Sequence, residues 1–240
     1  MFNRFYKWNE GLVRIMTILL GFLSRINSLY RRIRIAVNPN WVVTEGAISN
    51  YWRFTRYDAI SKGSGNSSDL AGEVLLLMIE YLRMRSPAKI VEVGCGDGWL
   101  SERVSIATQR TIISTDISPL RLAKAKEARP HLDFRVANSI EALKFAGTGD
   151  VLMSFNVLGN LTPDEFALLL SEAHSRNIEV LSYDRGNENL DAPYFEKRPN
   201  EIGYDYNFGG FILDRIPHAQ FTVLKKGVDG KVRATLFVFR

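Results

Sequence analysis

The sequence predicts an α/β protein with a doubly wound, mostly parallel sheet of seven strands, preceded by an N-terminal amphipathic helix. From residue 89 onward, short apolar runs alternate with helical patterns of about 8 to 13 residues. Strands that alternate with helices are joined by right-handed crossovers and therefore lie parallel. Two final apolar runs flank an Asp-Gly turn at 229–230, and this turn predicts an antiparallel C-terminal hairpin.

The predicted elements follow one another in a regular order. Strands are expected at 89–93, 111–115, 134–137, 151–155, 178–183, 220–225 and 232–239. Helices are expected at 98–108, 119–128, 140–145 and 163–175, after a first helix that is capped by Ser68 or Asp69 and ends near Met84. The helix at 163–175 has the clearest start, because Thr162 and Glu165 form a capping box around Pro163 at the first helical position.

Composition divides the chain into a basic leader (1–37), a connector or lid (38–70) and a main domain (71–240). Residues 1–35 contain seven Lys and Arg and one acidic residue, whereas the remaining 205 residues contain 24 basic and 25 acidic ones. A main domain without excess positive charge argues against a nucleic-acid partner. The single cysteine, Cys95, excludes a disulfide framework and a multi-cysteine zinc site, and we predict no metal.

The leader shows apolar residues at helical spacing from Gly11 to Arg34, with arginines at its flanks and aromatic residues just before it. This composition is typical of a helix in a membrane interface. A helix that packs on its own domain or on a partner subunit, and an export signal, are the alternatives. The longest uncharged stretch, 15–24, is about half of the roughly 20 residues that a membrane span needs.

A glycine-rich loop follows the first predicted strand of the alternating series, with the sequence Glu92-Val93-Gly94-Cys95-Gly96-Asp97-Gly98. Glycines at alternate positions allow a sharp turn and a close approach of a ligand to the backbone, and the next helix directs its N-terminus to the same place. A dinucleotide fingerprint would have its third glycine one residue later, where Trp99 stands. The spacing therefore disfavours a nicotinamide-dependent oxidoreductase.

This loop resembles the E/D-x-G-x-G-x-G signature of class I S-adenosylmethionine-dependent methyltransferases, and the terminal hairpin resembles the reversed last strand of their Rossmann-like fold. The resemblance implies S-adenosylmethionine as cofactor. It places Glu92 and the loop Gly94 to Gly98, including Cys95 and Gly96, around the methionyl part, with Asp97 near the amino group. Asp116 would accept both ribose hydroxyls, and Ile117 would contact the adenine face.

Two segments depart from the family pattern. Ala137-Asn138-Ser139 stands where the family usually has Gly-Asp-Ala, and Asn138 can still accept from the adenine amino group through its amide oxygen. The segment that begins with Asn156 resembles an Asn-Val-Leu-Glu-His-Leu run, but Gly159 and Asn160 replace the Glu and the His. These segments add Asn138, Ser139 and Asn156 to the expected cofactor-binding residues and exclude a histidine role at Asn160.

The range of possible methyl acceptors is limited mainly by the absence of certain motifs from the sequence. The fourth strand is followed neither by Asn/Asp-Pro-Pro-Tyr/Phe nor by Pro-Cys, the family's arrangements for methylating DNA bases. An aromatic and basic cluster from Tyr51 to Tyr57 resembles lid segments of the family and suits a glycan or a phosphorylated compound, and packing in a hydrophobic core explains the cluster equally well. Asp184, after the fifth strand, is the candidate catalytic base or metal ligand, and a solvated loop acid is the alternative.

The sequence thus predicts a cytoplasmic methyltransferase that O-methylates a sugar, a lipid-linked compound or another small molecule, in peripheral contact with a membrane through residues 11–34. The alternative is an inactive cofactor-binding protein that acts as a partner or scaffold.

Overall fold

The computed structural model describes residues 69–187, 190–191, 194–198, 203–229 and 232–240. The predicted leader, nearly all of the connector and the Tyr51 to Tyr57 cluster lie outside these residues, so the predictions made for them are not tested. Within the described ranges, no helix combines the length and the apolar character that crossing a membrane requires.

Fifteen helices and strands follow the predicted alternation over most of the described chain. The helices are α1 (Asp69–Arg85), α2 (Trp99–Thr108), α3 (Pro119–Ala128), α4 (Ser139–Ala142), α5 (Pro163–Ser175) and α6 (Phe208–Arg215). The strands are β1 (Ile90–Val93), β2 (Ile112–Asp116), β3 (Asp133–Val136), β4 (Val151–Phe155), β5 (Glu179–Arg185), β6 (Phe195–Lys197), β7 (Tyr204–Tyr206), β8 (Phe221–Asp229) and β9 (Val232–Phe239). One short 3-10 helix follows α4 at Leu143–Phe145, and another follows β4 at Leu158–Asn160.

Seven strands form one sheet in the order β3-β2-β1-β4-β5-β9-β8. The first five are parallel, and β9 inserts antiparallel between β5 and β8, which confirms the predicted fold class with its reversed C-terminal hairpin. Ile90 of β1 pairs with Ile112 of β2 on one side and with Val151 of β4 on the other. The carboxyl ends of these strands therefore meet at one edge, where ligands bind in sheets of this type.

Helices cover both faces of the sheet, and the strands bury alternate residues in two separate cores. Val91 and Leu152 point into the core formed with α5 and α6, whereas Ile90, Val151 and Met153 point into the core formed with α1 and α2. Strands that are buried on both faces are continuously apolar, and this is why the sequence shows short apolar runs here without polar alternation.

The segment between β5 and β8 holds the elements that the sequence analysis missed, namely β6, β7 and α6. Each of the two strands has only three residues, too few for a period-2 pattern to be recognised. They are held by aromatic contacts: Tyr206 packs edge-on against Phe166 of α5 and Phe211 of α6, with ring centroids 5.0 Å apart in both pairs. Tertiary packing, rather than local sequence, thus determines this segment.

A buried carboxylate stabilises the end of the sheet where β5 begins, opposite the end where ligands bind. Glu179, at the start of β5, is 5% exposed and accepts a hydrogen bond of 2.6 Å from the hydroxyl of Tyr81 on α1. Arg85 and the C-terminal Arg240 both form ion pairs with its Oε2 atom. One acidic side chain therefore ties α1, β5 and the end of β9 together.

We predict that Glu179→Gln lowers the free energy of unfolding by about 1 to 3 kcal/mol, because two guanidinium groups lose their anionic partner while one of the hydrogen-bonding oxygens is kept. Thermal denaturation monitored by circular dichroism measures the effect. Glu172→Gln, the same change at an exposed position of α5, is the control and should leave the melting temperature almost unchanged. Equal melting temperatures for the two variants would contradict a stabilising role for the ion pairs of Glu179.

Candidate active site

The glycine loop between β1 and α2 has the backbone conformation that its three glycines permit. Gly94, Gly96 and Gly98 all have positive φ angles, of 68°, 58° and 79°. Such angles are unfavourable for residues with a Cβ atom. The turn is closed by two backbone hydrogen bonds, from Gly98 N to Cys95 O (2.9 Å) and from Cys95 N to Thr115 O (2.8 Å). The loop is thereby fixed to the end of β2.

The surroundings of the three glycines differ. A Cβ atom at Gly94 would lie 2.5 Å from a methyl carbon of Val157, and one at Gly98 would lie 2.7 Å from the ring of Phe134. A Cβ at Gly96 would meet nothing within 4 Å. The loop is therefore packed against the protein at both ends and open at its centre, so that a ligand can approach the backbone at Gly96.

Asp116, the last residue of β2, is bound directly to this loop. Its Oδ2 atom accepts from Gly96 N (3.0 Å), its Oδ1 atom accepts from Ser118 N (2.8 Å), and the guanidinium of Arg121 lies 3.6 Å away. Burial raises the pKa of this carboxyl, and Arg121 partly opposes the effect. An ionised carboxylate has about four acceptor positions, so the two backbone donors and Arg121 leave room for about one further donor.

Glu92 lies beneath the loop rather than on its open side. Its side chain is 2% exposed, and Oε2 accepts a short hydrogen bond from the hydroxyl of Ser101 on α2. The Ser101 hydroxyl in turn lies 2.6 Å from that of Ser114 on β2. Burial is the main reason why the pKa of Glu92 rises to about 8. Ser101 and Ser114 were missed by the sequence analysis, since neither lies in the glycine motif.

Asp97 stabilises the loop from within and is held by Arg129, the residue that follows α3. The Oδ1 atom of Asp97 accepts from Trp99 N at 3.1 Å, at the start of α2. Arg129 donates to the backbone oxygen of Asp97 (2.8 Å) and also forms an ion pair with Glu102 (2.9 Å). Arg129 stands 32 residues from Asp97 in the sequence, so no local pattern could have identified it.

The segment after β3 joins the same edge of the sheet, because Ala137 N donates to the backbone oxygen of Asp116 (3.1 Å). Asn138 then acts as a helix cap: its Oδ1 atom accepts from Glu141 N (2.8 Å), while Glu141 accepts from Asn138 N (2.9 Å). Ser139 is buried and Ile117 is half-buried. Their expected contacts with adenine stay predictions.

Asn156, directly after β4, lies beside the glycine loop through its neighbour Val157. It is exposed and has a positive φ angle of 57°, a conformation that asparagine tolerates better than most residues. Its backbone N–H donates to Tyr183 O at 2.8 Å and so links the end of β4 to β5. The chain reversal after β4 thus faces the same edge as Gly94 and Asp116.

Asp184 lies inside β5 and not in a solvated loop. It is 2% exposed, and its carboxylate accepts backbone N–H groups of Leu158 and of Arg185. Burial raises its pKa to about 6, and Arg198 partly opposes the shift. These bonds tie the turn after β4 to β5, so the geometry favours a positioning role. Catalysis by Asp184 as a base stays a prediction.

An arginine and two glycines, none of them identified from the sequence, surround Asp184. Arg198 is buried, and its Nε atom binds Asp205 of β7 at 2.9 Å. A Cβ atom at Gly159 would collide with the Arg198 guanidinium, and one at Gly203 would collide with the backbone oxygen of Gly159. The β6–β7 pair therefore packs closely against the turn after β4.

In the ranges that the structure describes, no group of three or more His, Cys, Asp or Glu side chains is arranged to hold a metal ion.

A protein-family model matches part of the chain. Residues 90–176, from the start of β1 to the residue after α5, match a family model described as a methyltransferase domain. No curated protein matches the sequence significantly.

Several solved structures share the fold at low sequence identity. PH0226 protein from Pyrococcus horikoshii OT3 is 17% identical, with a TM-score of 0.56, over 77% of this chain and 97% of that one. Magnesium protoporphyrin IX methyltransferase from Synechocystis PCC 6803 with bound SAM is 15% identical, with a TM-score of 0.56, over 84% and 99%. An S-adenosylmethionine-dependent methyltransferase from Clostridium acetobutylicum ATCC 824 is 10% identical, with a TM-score of 0.53, over 77% and 95%.

We predict that Gly94→Ala destabilises the protein more than Gly96→Ala, because only the first change adds a collision with Val157 to the backbone strain of about 1 to 2 kcal/mol. Chemical denaturation of both variants provides the comparison. Adding Val157→Ala removes the colliding methyl groups, and the double variant should recover part of the stability lost in Gly94→Ala. Strictly additive effects of the two changes would show that the close approach is unimportant.

Proposed function

Because this chain carries a class I S-adenosylmethionine-dependent methyltransferase domain, we propose that it methylates a hydroxyl oxygen of a sugar, a lipid-linked compound or another small molecule. The proposal depends above all on one observation: the open centre of the glycine loop lies beside the carboxylate of Asp116 at the carboxyl edge of the sheet. Both lie within the part of the chain that matches the methyltransferase domain.

The described residues fit S-adenosylmethionine as cofactor. The open backbone at Gly96 supplies a cradle that a Cβ atom would fill, and Asp116 keeps about one acceptor position for a ribose hydroxyl. The acidic side chains of Asp97 and Asp116 suit a ligand with a net positive charge. In this assignment the loop from Gly94 to Gly98 holds the methionyl part, while Ile117 and Asn138 adjoin the adenine.

S-Adenosylmethionine supplies a methyl group on a positively charged sulfur, and its transfer requires in-line positioning of the acceptor and exclusion of water. The turn from Asn156 to Asn160 lies next to the glycine loop and is suited to form the acceptor side of the site. Asp184 accepts the backbone N–H of Leu158 in this turn, and the guanidinium of Arg198 lies against Gly159. These contacts would keep the acceptor hydroxyl in a fixed orientation.

The class of acceptor is supported by charge and by the sequence that follows β4. The 205 residues after position 35 contain 24 basic and 25 acidic side chains, so they carry no excess of positive charge for binding a polyanionic nucleic acid. The Asn156-Val157-Leu158 turn differs from the motifs that methylate DNA bases. One structure of similar fold is named for a small-molecule acceptor, magnesium protoporphyrin IX. A small molecule or glycan is therefore the proposed acceptor.

An inactive cofactor-binding protein is the second candidate. It is favoured by the burial of Asp184: this residue is 2% exposed, and its carboxylate already accepts hydrogen bonds from backbone N–H groups. An acceptor hydroxyl must lose a proton during transfer, and a carboxylate as deeply buried as that of Asp184 is poorly placed to accept it. Methyl transfer from labelled S-adenosylmethionine to candidate sugars and lipid-linked acceptors separates the two functions.

We predict that the full-length protein binds S-adenosylmethionine and that Asp116→Asn weakens this binding by about 10- to 100-fold, since hydrogen bonds to a charged acceptor contribute about 1.5 to 3 kcal/mol. Isothermal titration calorimetry measures the dissociation constants. Asp133→Asn, the same change at a more exposed position on the neighbouring strand β3, should bind like the unchanged protein. An absence of binding by the unchanged protein would refute the proposed function.

We also propose that residues 11–34 place the enzyme on the cytoplasmic surface of a membrane. The support comes from the sequence alone: an apolar helical face, flanking arginines and an excess of positive charge that is confined to the leader. An acceptor with a lipid anchor would be concentrated at the same surface.

We predict that the full-length protein sediments with anionic liposomes and that replacing Arg31, Arg32 and Arg34 by Ala weakens binding by about 100-fold, because each basic residue near an anionic surface contributes about 1 kcal/mol. Replacing Lys126, Lys144 and Lys226 by Ala removes the same charge from exposed positions of the main domain and should have little effect. Equal sedimentation of both triple variants would disprove a role for the leader.

A further inference from the structure

Three polar side chains form a buried chain of hydrogen bonds beneath the glycine loop. Glu92 of β1 contacts the hydroxyl of Ser101 on α2, and this hydroxyl lies 2.6 Å from that of Ser114 on β2. Ser101 and Ser114 are completely buried, and Glu92 is 2% exposed. A polar chain enclosed in this way would be costly unless each member kept a partner.

The two serines can serve either protonation state of Glu92 without moving. When the carboxyl is ionised, Ser101 donates to it and can accept from Ser114. When the carboxyl is protonated, it donates to Ser101, which then donates to Ser114. Because each hydroxyl is both donor and acceptor, a rotation of hydroxyl hydrogens is sufficient to accommodate the change. The geometry therefore satisfies the hydrogen bonds of Glu92 in both protonation states.

The charges that face Glu92 are mainly negative. Asp97 of the glycine loop and Asp116 of β2 both raise its pKa through their charge, in addition to the larger effect of burial. The nearby cations are already bound to these and other acids: Arg121 contacts Asp116, and Arg129 contacts Asp97 and Glu102. None of the ion pairs between described residues includes Glu92 itself.

We infer, on the basis of the proposed function, that Glu92 with Ser101 and Ser114 distinguishes the cationic cofactor S-adenosylmethionine from its product S-adenosylhomocysteine by charge. The sulfonium gives the cofactor one more positive charge than the product. Asp97 and Asp116, the acids assigned to the cofactor, already act on Glu92 electrostatically, so a cation bound beside them acts on the same carboxyl with the opposite sign.

Proton linkage gives this inference a measurable sign. With a pKa of about 8, Glu92 is protonated in about nine of ten molecules at pH 7. A bound cation favours the ionised carboxylate, so S-adenosylmethionine binding releases up to about 0.9 proton at pH 7 and about 0.1 at pH 9. The neutral thioether of the product lacks this effect. The preference for cofactor over product therefore increases as the pH rises from 6 to 9.

The test is isothermal titration calorimetry of the full-length protein with S-adenosylmethionine and with S-adenosylhomocysteine. Titrations at pH 7 in buffers of different ionisation enthalpy give the number of protons released for each ligand, and titrations from pH 6 to 9 give the ratio of dissociation constants. The amino groups of both ligands also titrate in this range. Glu92→Gln isolates the carboxyl, because these amino groups stay the same in the variant.

We expect the cofactor to release more protons than the product. Glu92→Gln should abolish most of this difference, together with up to about 100-fold of the change in cofactor preference between pH 6 and 9. Glu172→Gln, at an exposed position of α5, should behave like the unchanged protein. Equal proton release in the unchanged protein and in Glu92→Gln would overturn the inference while binding of S-adenosylmethionine still supported the proposed function. No binding at all would contradict the proposed function instead.

A second variant covers the case in which Glu92→Gln does not fold. Ser101→Ala removes the hydroxyl that stabilises the ionised carboxylate, and this hydrogen bond lowers the pKa of Glu92. The pH range of cofactor-linked proton release should then move upward. An unchanged range in Ser101→Ala would overturn the inference, because the released proton would come from another group.

Discussion

The position of β1 between two parallel neighbours is the constraint on which the whole site depends. Backbone pairing with β2 and β4 aligns the ends of three strands, so that the glycine loop meets Asp116 on one side and Val157 on the other. Gly94 is required where the loop crosses toward Val157, and Gly96 is left open at the centre. The same alignment brings Asp184 under the turn after β4, because β5 is the next parallel strand.

This edge of the sheet collects buried acids whose ionisation is costly. Burial raises the pKa values of Glu92, Asp116 and Asp184. Arg121 at Asp116, Arg198 at Asp184 and the Ser101 hydroxyl at Glu92 oppose this effect only in part. Such an arrangement reduces the stability of the empty protein and attracts a positively charged ligand. The opposite edge differs, because Glu179 is paired with Arg85 and Arg240 and contributes only to stability. The two ends of one sheet thus serve different purposes.

Gly159, in the turn after β4, shows that a residue which departs from the resembling motif can have a structural role. Gly159 occupies the place of a glutamate in the resembling motif, and the sequence shows only that the motif is altered. In the structure, Gly159 makes room for the guanidinium of Arg198, and Gly203 lies against its backbone oxygen. Arg198 also binds Asp205, which an ion pair of 3.0 Å links to Arg185 at the end of β5. The absence of a side chain at Gly159 therefore allows Arg198, which is distant in the sequence, to pack against this turn.

The sequence by itself determined the alternation of strands and helices, the capping box at Thr162, the glycine loop and the reversed hairpin, because each depends on residues close together in the chain. The tertiary structure alone decided which partners these residues receive. Arg129 reaches Asp97 from 32 positions away, and Ser114 reaches Ser101 only because α2 packs against β2. The burial that changes the acidity of Glu92 and Asp184 likewise arises from packing between distant segments, which no local pattern records.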